Sequence, residues 1–206
     1  MARATLGACR GVLIYLAGPL FSEAERRFNL GLTRRLESLG FDVFLPQRDG
    51  VERDKPPYDT MTPEERRHAM FHLDRTMVLD ADVFLFVLDG RVPDEGACVE
   101  LGIAYCQKYL QKGDKLLIGL HTDTRAAFID GRLNPMVRVP LDCVVDDEAS
   151  LLRLLAGRGP WRTRLMSSRR PSGEGRPTDD GPTDVPSSSI RGARCSPNAP
   201  TVTGSR

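Results

Sequence analysis

The sequence contains few of the residues that build metal clusters and disulfide frameworks. Its 206 residues include three histidines and five cysteines. The cysteines are odd in number and form no C-x-x-C pair; they are Cys9, Cys98, Cys106, Cys143 and Cys195. We therefore expect neither a disulfide framework nor a zinc cluster, and the pattern is typical of a protein of the reducing cytoplasm.

Two weaker candidates remain among these residues. His68 and His72 are four positions apart, a helical spacing that can hold a metal. They lack the H-E-x-x-H context, so a solvated helix face is favoured. Cys98 precedes Glu100 by two positions and has the chemistry of a nucleophile. No histidine lies near it in the sequence, so a small buried side chain is favoured there.

The sequence also lacks a dominant charge and a long apolar run. With 29 basic and 28 acidic residues the net charge is +1, and no basic stripe indicates a nucleic-acid partner. No stretch has the length and apolarity of a membrane span.

Arg3 and Arg10 precede the apolar run at residues 11–17, as in a signal peptide. That run is short and leads directly into a capped helix, which favours a strand.

The two ends of the chain differ in composition from the middle. Residues 1–10 are predicted to be a flexible leader. From Ser167 to Arg206, Ser, Pro and Gly make up about half of the residues, and such a segment cannot bury enough surface to offset the entropy of ordering. We predict a disordered tail at residues 166–206 and a single domain at residues 11–165.

Within that domain, short apolar runs alternate with stretches of helical periodicity. Five runs are predicted as strands, at residues 12–17, 41–46, 83–88, 115–120 and 142–145. Four stretches are predicted as helices, at about residues 22–39, 62–79, 96–111 and 148–156. The first two helices begin with capping boxes at Ser22 and Thr62. This alternation predicts parallel β-α-β units.

The predicted fold class is α/β: a doubly wound, five-stranded parallel sheet of flavodoxin-like order 2-1-3-4-5, with helices on both faces. In that order the winding reverses between strands one and three, and ligands bind beyond the carboxyl ends of the strands at this switch point. The turn at Gly18 then faces the acidic loop of residues 89–95. The polar segment of residues 47–61 follows strand two and is predicted to be a lid, with disorder as the alternative.

Acidic and polar side chains adjoin these strand ends. Asp94 and Glu100 follow the buried third strand, and Glu100 lies in the first turns of a helix, where the macrodipole favours an ionised carboxylate. With Asp74, and with Tyr15 and Gln47 at other strand ends, they form a set that suits glycosidic chemistry: one carboxylate attacks or stabilises the anomeric carbon, and another, protonated, assists the leaving group. On pattern alone, the alternative that Asp94 only caps the helix and Glu100 is solvated stays open. No G-x-G-x-x-G or Walker A motif is present, which disfavours dinucleotide and P-loop chemistry.

Three segments resemble one enzyme family, the nucleoside 2-deoxyribosyltransferases. Y-L-A-G-P-L-F at residues 15–21, followed by E-A-E at 23–25, is similar to the opening of these enzymes. D-E-G-A-C-V-E-L-G at 94–102 resembles their D-x-G-x-x-x-E-L-G motif, the most specific of the three. N-P-M at 134–136 resembles their N-x-M element. The fold that this resemblance implies agrees with the one predicted above.

The resemblance implies that 2-deoxyribose is transferred between nucleobases through a covalent deoxyribosyl–enzyme intermediate. It assigns the nucleophile to Glu100, the hydroxyl that orients it to Tyr15, and the acid that contacts and protonates the base to Asp94. Further substrate contacts are implied at Gly18, Gln47, Asp74, Gly96, Asn134 and Met136.

The resemblance also implies the partners. Asn134 matches a residue that reaches the sugar in a neighbouring subunit's site, so a homo-oligomer with shared active sites is implied. The other implied partners are small-molecule deoxynucleosides and free nucleobases, and no metal or organic cofactor is required. The long segment after the domain departs from family members whose C-terminus lies near a site.

Two alternatives stay open. A 2′-deoxynucleoside 5′-monophosphate N-glycosidase would share the chemistry at Glu100 but transfer the sugar to water. Such relatives have a phosphate site near strand one that is richer in Gly, Ser and Arg than residues 18–21, which favours nucleosides here. The alternative from another class is a non-catalytic nucleotide-binding or signalling domain on the same fold.

Overall fold

A computed structural model of the chain describes residues 11–123 and 133–157. The predicted leader at 1–10 and tail at 166–206 lie outside these residues, as do the last residues of the predicted domain. The described part holds a sheet of five strands: β1 Leu13–Ala17, β2 Asp42–Phe44, β3 Val83–Val87, β4 Leu116–Leu120 and β5 Cys143–Val145. All four neighbouring pairs are parallel and the order is β2-β1-β3-β4-β5. The predicted fold class is confirmed.

Helices cover both faces of this sheet. They are α1 Glu23–Ser38, α2 Pro46–Asp49, α3 Pro63–Asp80, α4 Glu95–Gln111, α5 Pro135–Arg138 and α6 Glu148–Ala156, with a 3-10 turn at Tyr58–Thr60. α1 and α6 pack on one face, through side chains such as Leu36 and Leu151. α3, α4 and α5 pack on the other, through Val78, Leu101 and Val137. No helix in these ranges has both the length and the apolar character needed to cross a membrane.

The capping boxes predicted at Ser22 and Thr62 are present, with the Glu three residues on bonding back in each case. The end of strand two was predicted wrongly. Strand two was predicted to continue to Pro46, but Pro46 begins α2 because its fixed φ suits the first position of a helix. The helix before β4 ends at Gln111 as predicted, and Lys112 caps it in the left-handed conformation, with φ of 50°.

Tyr15 lies on β1, the second strand across the sheet, between two aromatic side chains of the neighbouring strands. β1 pairs Tyr15 with Phe44 on one side and with Phe84 on the other. The Tyr15 ring stacks on both, at centroid distances of 5.5 and 5.8 Å, and the residue is fully buried. Stacking on two sides fixes where the ring, and therefore its hydroxyl, can lie.

A buried lysine side chain bonds to the backbone carbonyls at the carboxyl end of α3. Lys115, just before β4, is 7% exposed, and its ammonium donates to the carbonyl oxygens of Val78, at 2.6 Å, and of Ala81. A longer contact of 3.4 Å reaches the Leu79 carbonyl oxygen. The last carbonyls of a helix lack hydrogen-bond partners within the helix and carry the negative end of its dipole. An ammonium at this position donates hydrogen bonds to these oxygens and also offsets their partial negative charge.

Candidate active site

A cavity of about 490 Å³ opens at the carboxyl ends of β1 and β3. This is the switch point of the sheet, where the winding reverses. Six of the residues proposed from the sequence line this cavity: Gly18, Gln47, Asp74, Asp94, Gly96 and Glu100. Strand ends and the helices α2, α3 and α4 thus bring together side chains that are far apart in the sequence.

The contact between Tyr15 and Glu100 joins the sheet to the cavity. The Tyr15 hydroxyl donates to Glu100 Oε1 at 2.7 Å. Tyr15 is fixed by its two ring neighbours, and Glu100 lies in the second turn of α4. Burial raises the pKa of Tyr15, and the nearby charges of Glu100 and Asp74 raise it further. The hydroxyl therefore stays protonated and acts as a hydrogen-bond donor to Glu100.

The carboxyl groups of Glu100 and Asp74 hold protons unusually well. Burial raises the pKa of Glu100 to about 7; the hydrogen bond from Tyr15 opposes this, while the charges of Asp74 and Asp94 add to it. Burial also raises the pKa of Asp74 to about 6. Desolvation disfavours the charged form of a carboxyl group. The cavity can therefore hold one carboxylate and one carboxylic acid side by side near neutral pH.

Asp94 is both a helix cap and part of the cavity wall. It is the N-cap of α4, and its Oδ1 accepts from the Ala97 backbone N–H at 2.9 Å. The next glycine, Gly96, leaves room for this carboxylate, since a Cβ there would lie 3.2 Å from Asp94 Oδ1. Asp94 therefore both caps α4 and lines the cavity. Its neighbour Glu95 is exposed.

Gly18 brings the ends of β1 and β3 into close contact. Its φ is 145°, a conformation that other residues rarely adopt, and a Cβ there would lie 2.9 Å from both Cβ and the carbonyl oxygen of Val87. Any side chain at position 18 would push the two strand ends apart. The narrow floor of the cavity between them depends on this glycine.

Sequence reasoning missed Asn29, which holds the amide of Gln47. Asn29 is 2% exposed, and its Nδ2 donates to the Pro19 carbonyl oxygen at 2.9 Å and to Gln47 Oε1 at 3.2 Å. Gln47 Nε2 in turn donates to the Arg26 carbonyl oxygen at 2.8 Å. The one signal in the sequence is a polar residue on the apolar face of α1, three positions before Leu32.

The cavity also has an apolar wall that the sequence did not indicate. Leu20, Phe21, Val51 and Met70 line it. Met70 of α3 is 47% exposed, and within α3 only Val78 is buried. The first part of the predicted lid, residues 47 and 50–52, also borders this space.

Asn134 and Met136 are not brought to the cavity of their own chain. Asn134 is exposed and caps α5, with its Oδ1 accepting from the Met136 backbone N–H at 2.9 Å. Met136 is 80% exposed.

Of the remaining candidates, His68 and His72 stack at 6.5 Å between ring centroids. Within residues 11–123 and 133–157, no group of three or more His, Cys, Asp or Glu could hold a metal ion.

Comparisons with solved structures agree on the fold. A conserved protein from Enterococcus faecalis V583 is 28% identical, with a TM-score of 0.53, over 69% of this chain and 96% of that one. A 2-deoxyribosyltransferase from Bacillus psychrosaccharolyticus is 22% identical, with a TM-score of 0.55, over 68% and 90%. A CMP N-glycosidase from Clostridium botulinum is 18% identical over 69% and 96%, but its TM-score of 0.40 is too low to bear on fold or function.

Comparison with curated proteins gave no significant match. The family model for nucleoside 2-deoxyribosyltransferases, in contrast, matches residues 14–155. The match includes Tyr15 of β1 and Glu100 of α4. The chain belongs to the nucleoside 2-deoxyribosyltransferase family.

Proposed function

We propose that the protein transfers 2-deoxyribose between nucleobases, with Glu100 as the nucleophile. The observation that carries the proposal is the 2.7 Å hydrogen bond from Tyr15 to Glu100 Oε1 at the cavity. That bond leaves the other carboxylate oxygen available and aims the group, which is what a nucleophile on a sugar carbon requires. Family membership supports glycosyl transfer or glycosidase activity, and the specific reaction is our proposal.

The reaction proceeds in two displacements. A Glu100 oxygen bonds to C1′ while the bond from C1′ to the base nitrogen breaks, and the leaving base takes a proton from an acid in the cavity. The ring nitrogen of a second base then bonds to C1′, the ester bond to Glu100 breaks, and the acid recovers a proton from the incoming base. Two inversions give net retention at C1′.

Asp74 is the better-suited proton source of the two aspartates. Its pKa is raised to about 6 by burial, so it holds a proton near neutral pH more readily than an ordinary aspartate. Asp94 Oδ1 already accepts the Ala97 backbone N–H at the start of α4, so that oxygen is engaged in the helix cap. The resemblance assigns protonation to Asp94; we propose instead that Asp74 protonates the base and Asp94 accepts a hydrogen bond from it.

This assignment predicts a bell-shaped pH profile of kcat/KM with its maximum between about pH 6 and 7. The two carboxyl groups titrate as a pair, and activity falls on the acid side where both are protonated and on the alkaline side where both are ionised. The active form, with Glu100 ionised and Asp74 protonated, is the minor one of the two singly protonated forms, because the pKa of Glu100 lies above that of Asp74. Asp74→Asn is expected to lower kcat/KM by ~10²-fold and to abolish the alkaline limb. It also moves the acid limb to lower pH, because the Asp74 charge no longer raises the pKa of Glu100.

The matched control is Asp94→Asn, which keeps the helix cap because asparagine caps as well as aspartate does. We expect this variant to bind substrate more weakly and to keep both limbs. If the alkaline limb disappears in Asp94→Asn and persists in Asp74→Asn, the two roles are the reverse of those proposed.

Asn29 acts as a positioning residue for Gln47, which we propose contacts the base. Asn29→Leu removes both hydrogen bonds of the buried amide while keeping its branched shape. Because Asn29 Oδ1 has no partner among the described residues, the free energy of unfolding should change by less than ~1 kcal/mol. KM for the nucleoside should rise ~10-fold, since the Gln47 amide is free to rotate.

Steady-state kinetics and chemical denaturation check the Asn29 prediction. Thr33→Val is the control, since Thr33 lies one turn further along α1 with a buried, unpartnered hydroxyl and should leave KM unchanged. Asn29→Leu should add little to KM in a Gln47→Ala background. Additive effects in the double variant would show that Asn29 does not act through Gln47.

We further propose a cytoplasmic homo-oligomer in which Asn134 reaches a neighbouring subunit's site. The free thiols at Cys98, Cys106 and Cys143 support the location. Asn134 and Met136 are exposed and outside their own cavity, which leaves them available to a second chain. Their substrate contacts are therefore proposed across a subunit boundary.

The deciding experiment incubates deoxyinosine with and without free adenine. Adenine-dependent formation of deoxyadenosine supports transfer, and hypoxanthine release at a rate independent of adenine supports hydrolysis. Intact deoxyinosine after long incubation, with measurable binding, supports the non-catalytic alternative. A purine and pyrimidine panel of donors and acceptors then gives the base preference.

Hydrolysis of deoxynucleoside monophosphates is disfavoured by the capping of α1. A phosphate near β1 would use the backbone N–H groups at this helix start. Those of Phe21 and Ser22 already donate to Glu25 Oε2, at 2.9 and 2.7 Å. The pKa of Glu25 is held below its usual range, chiefly by the Ser22 backbone N–H. An ionised carboxylate thus occupies the place of a phosphate, which favours a nucleoside.

A further inference from the structure

The side chain of Asp89 joins the ends of two neighbouring strands, outside the lining of the active-site cavity. Asp89 follows β3, and Thr122 and Asp123 follow β4. Asp89 Oδ1 accepts from the backbone N–H groups of Thr122, at 2.6 Å, and of Asp123, at 3.0 Å. Asp89 Oδ2 accepts from the Thr122 hydroxyl at 2.5 Å. We call these three residues the Asp89 clamp. Its bonds go to a partly buried carboxylate, and such bonds are stronger than those between neutral groups.

The clamp takes over where the backbone ladder between β3 and β4 ends. The last ladder bond runs from the Leu88 N–H to the Leu120 carbonyl oxygen, at 2.8 Å. The next donor on the β4 side, the Thr122 N–H, bonds to the Asp89 side chain instead of to the backbone after β3. The main chain after Asp89 is therefore free to leave the sheet. Gly90 turns it there, with φ of 124°, a conformation that other residues rarely adopt.

The loop of residues 90–93 connects the clamp to the active site. Val92 in this loop is 73% exposed, and no described residue forms a hydrogen bond with residues 90–93. Asp94 follows directly, where it caps α4 and lines the cavity. The path of the loop therefore depends on its two ends, which are the clamp at Asp89 and the helix cap at Asp94.

We propose that Asp89 is a positioning residue for the reaction: its carboxylate holds the loop of residues 90–93 so that Asp94 meets the nucleobase. The inference rests on the proposed function, in which Asp94 accepts a hydrogen bond from the base. Asp89 does not line the cavity, so it acts through Asp94 and not on the substrate. Glu100 has its own anchor in the hydrogen bond from Tyr15. Loss of the clamp should therefore weaken base binding more than it slows the chemical step.

Asp89→Ala and Asp89→Asn separate the hydrogen bonds of the clamp from its charge. Alanine removes all three contacts. Asparagine can keep them, because its Oδ1 accepts both N–H groups and its Nδ2 donates to the Thr122 hydroxyl, which can also accept. We expect Asp89→Ala to raise KM for deoxyinosine ~10-fold and to change kcat by less than ~3-fold. Asp89→Asn should keep KM within ~2-fold of the wild type.

The matched control is Asp82→Ala. Asp82 Oδ2 accepts the Leu13 backbone N–H at 2.8 Å, so this carboxylate also joins two neighbouring strands, but at the amino ends of β1 and β3. Its loss should lower the free energy of unfolding, measured by chemical denaturation, and leave KM unchanged. An equal rise of KM in Asp82→Ala and Asp89→Ala, or a failure of Asp89→Asn to restore KM, would overturn the proposal.

A double-variant cycle shows whether the effect passes through Asp94. In an Asp94→Asn background the helix cap is kept and the proposed contact with the base is weakened. Asp89→Ala should then raise KM by less than ~2-fold. A rise by the same factor in both backgrounds would mean that Asp89 stabilises the fold in general, and it would contradict a positioning role.

Binding measured without turnover separates this inference from the proposed function. Calorimetry gives the dissociation constant of deoxyinosine in a Glu100→Gln background. Binding that weakens ~10-fold with Asp89→Ala and recovers with Asp89→Asn supports the clamp, whether or not the wild type transfers deoxyribose. Transfer by the wild type together with unchanged binding in Asp89→Ala overturns the clamp and leaves the proposed function. Absence of binding in every background overturns both.

Discussion

Glu100→Gln is expected to lower kcat by ~10⁴-fold or more while making the folded protein more stable above neutral pH. The amide has the shape of the carboxylate and still accepts the Tyr15 hydroxyl that now lies 2.7 Å from Oε1. It cannot form the ester with C1′. Binding of the deoxynucleoside should persist, so the loss falls on kcat rather than on KM.

The gain in stability follows from proton linkage. Burial raises the pKa of Glu100 from about 4.5 to about 7 in the folded state. The unfolded chain therefore releases this proton at lower pH than the folded chain, and wild-type stability falls as the pH rises from about 4.5 to 7. Glu100→Gln removes this loss of stability. The free energy of unfolding of the variant should therefore match that of the wild type below about pH 4.5 and exceed it by ~3 kcal/mol above pH 7.

Kinetics and urea denaturation at several pH values measure the two effects. Glu95→Gln serves as the control, since Glu95 is an exposed acid in the first turn of the same helix, and it should change neither quantity. Mass spectrometry of acid-quenched wild type should show the mass of a deoxyribosyl group that is missing from Glu100→Gln. Substantial turnover by that variant would refute Glu100 as the nucleophile.

Lys115→Met is expected to destabilise the fold by ~3 kcal/mol. Methionine fills the volume of the lysine stem but offers no donor to the carbonyl oxygens of Val78 and Ala81. These carbonyls end the helix that carries Asp74, and they are buried against the start of β4. Leaving buried acceptors unpaired costs more than the net value of the bonds themselves.

Lys108→Met is the companion variant for Lys115→Met. The Lys108 ammonium pairs with Asp142 in a partly exposed site, where the two side chains are 27% and 35% exposed, so its loss should cost less than ~1 kcal/mol. Chemical denaturation of both variants gives the comparison. Equal stabilities would mean that the carbonyls at the end of α3 are satisfied by other groups.

The sheet could be predicted from local patterns because each of its elements carries a local signal. β3 is a run of apolar residues. The starts of α1 and α3 are marked in the sequence by capping boxes at Ser22 and Thr62. The motif around Asp94 and Glu100 gave the residues at the switch point. Such signals require only neighbours in the sequence.

Other parts of the site depend on contacts between distant segments. Asn29 reaches Gln47 from 18 residues away, and nothing in either local pattern indicates that bond. The apolar wall at Met70 arises because this part of α3 is not covered by the sheet, which periodicity alone does not reveal. The pKa values of Glu100 and Asp74 likewise depend on burial, which is a property of the assembled fold.

The hydrogen bond from Tyr15 to Glu100 spans 85 residues of chain. It forms only when β1 and α4 are both in place on the sheet. Fraying at the edge strand β5 should leave the pair intact, whereas fraying at the edge strand β2 would remove Phe44 from the Tyr15 ring. Catalytic activity therefore requires the folded packing of β1 against α4. We expect turnover and global structure to be lost together under denaturing conditions.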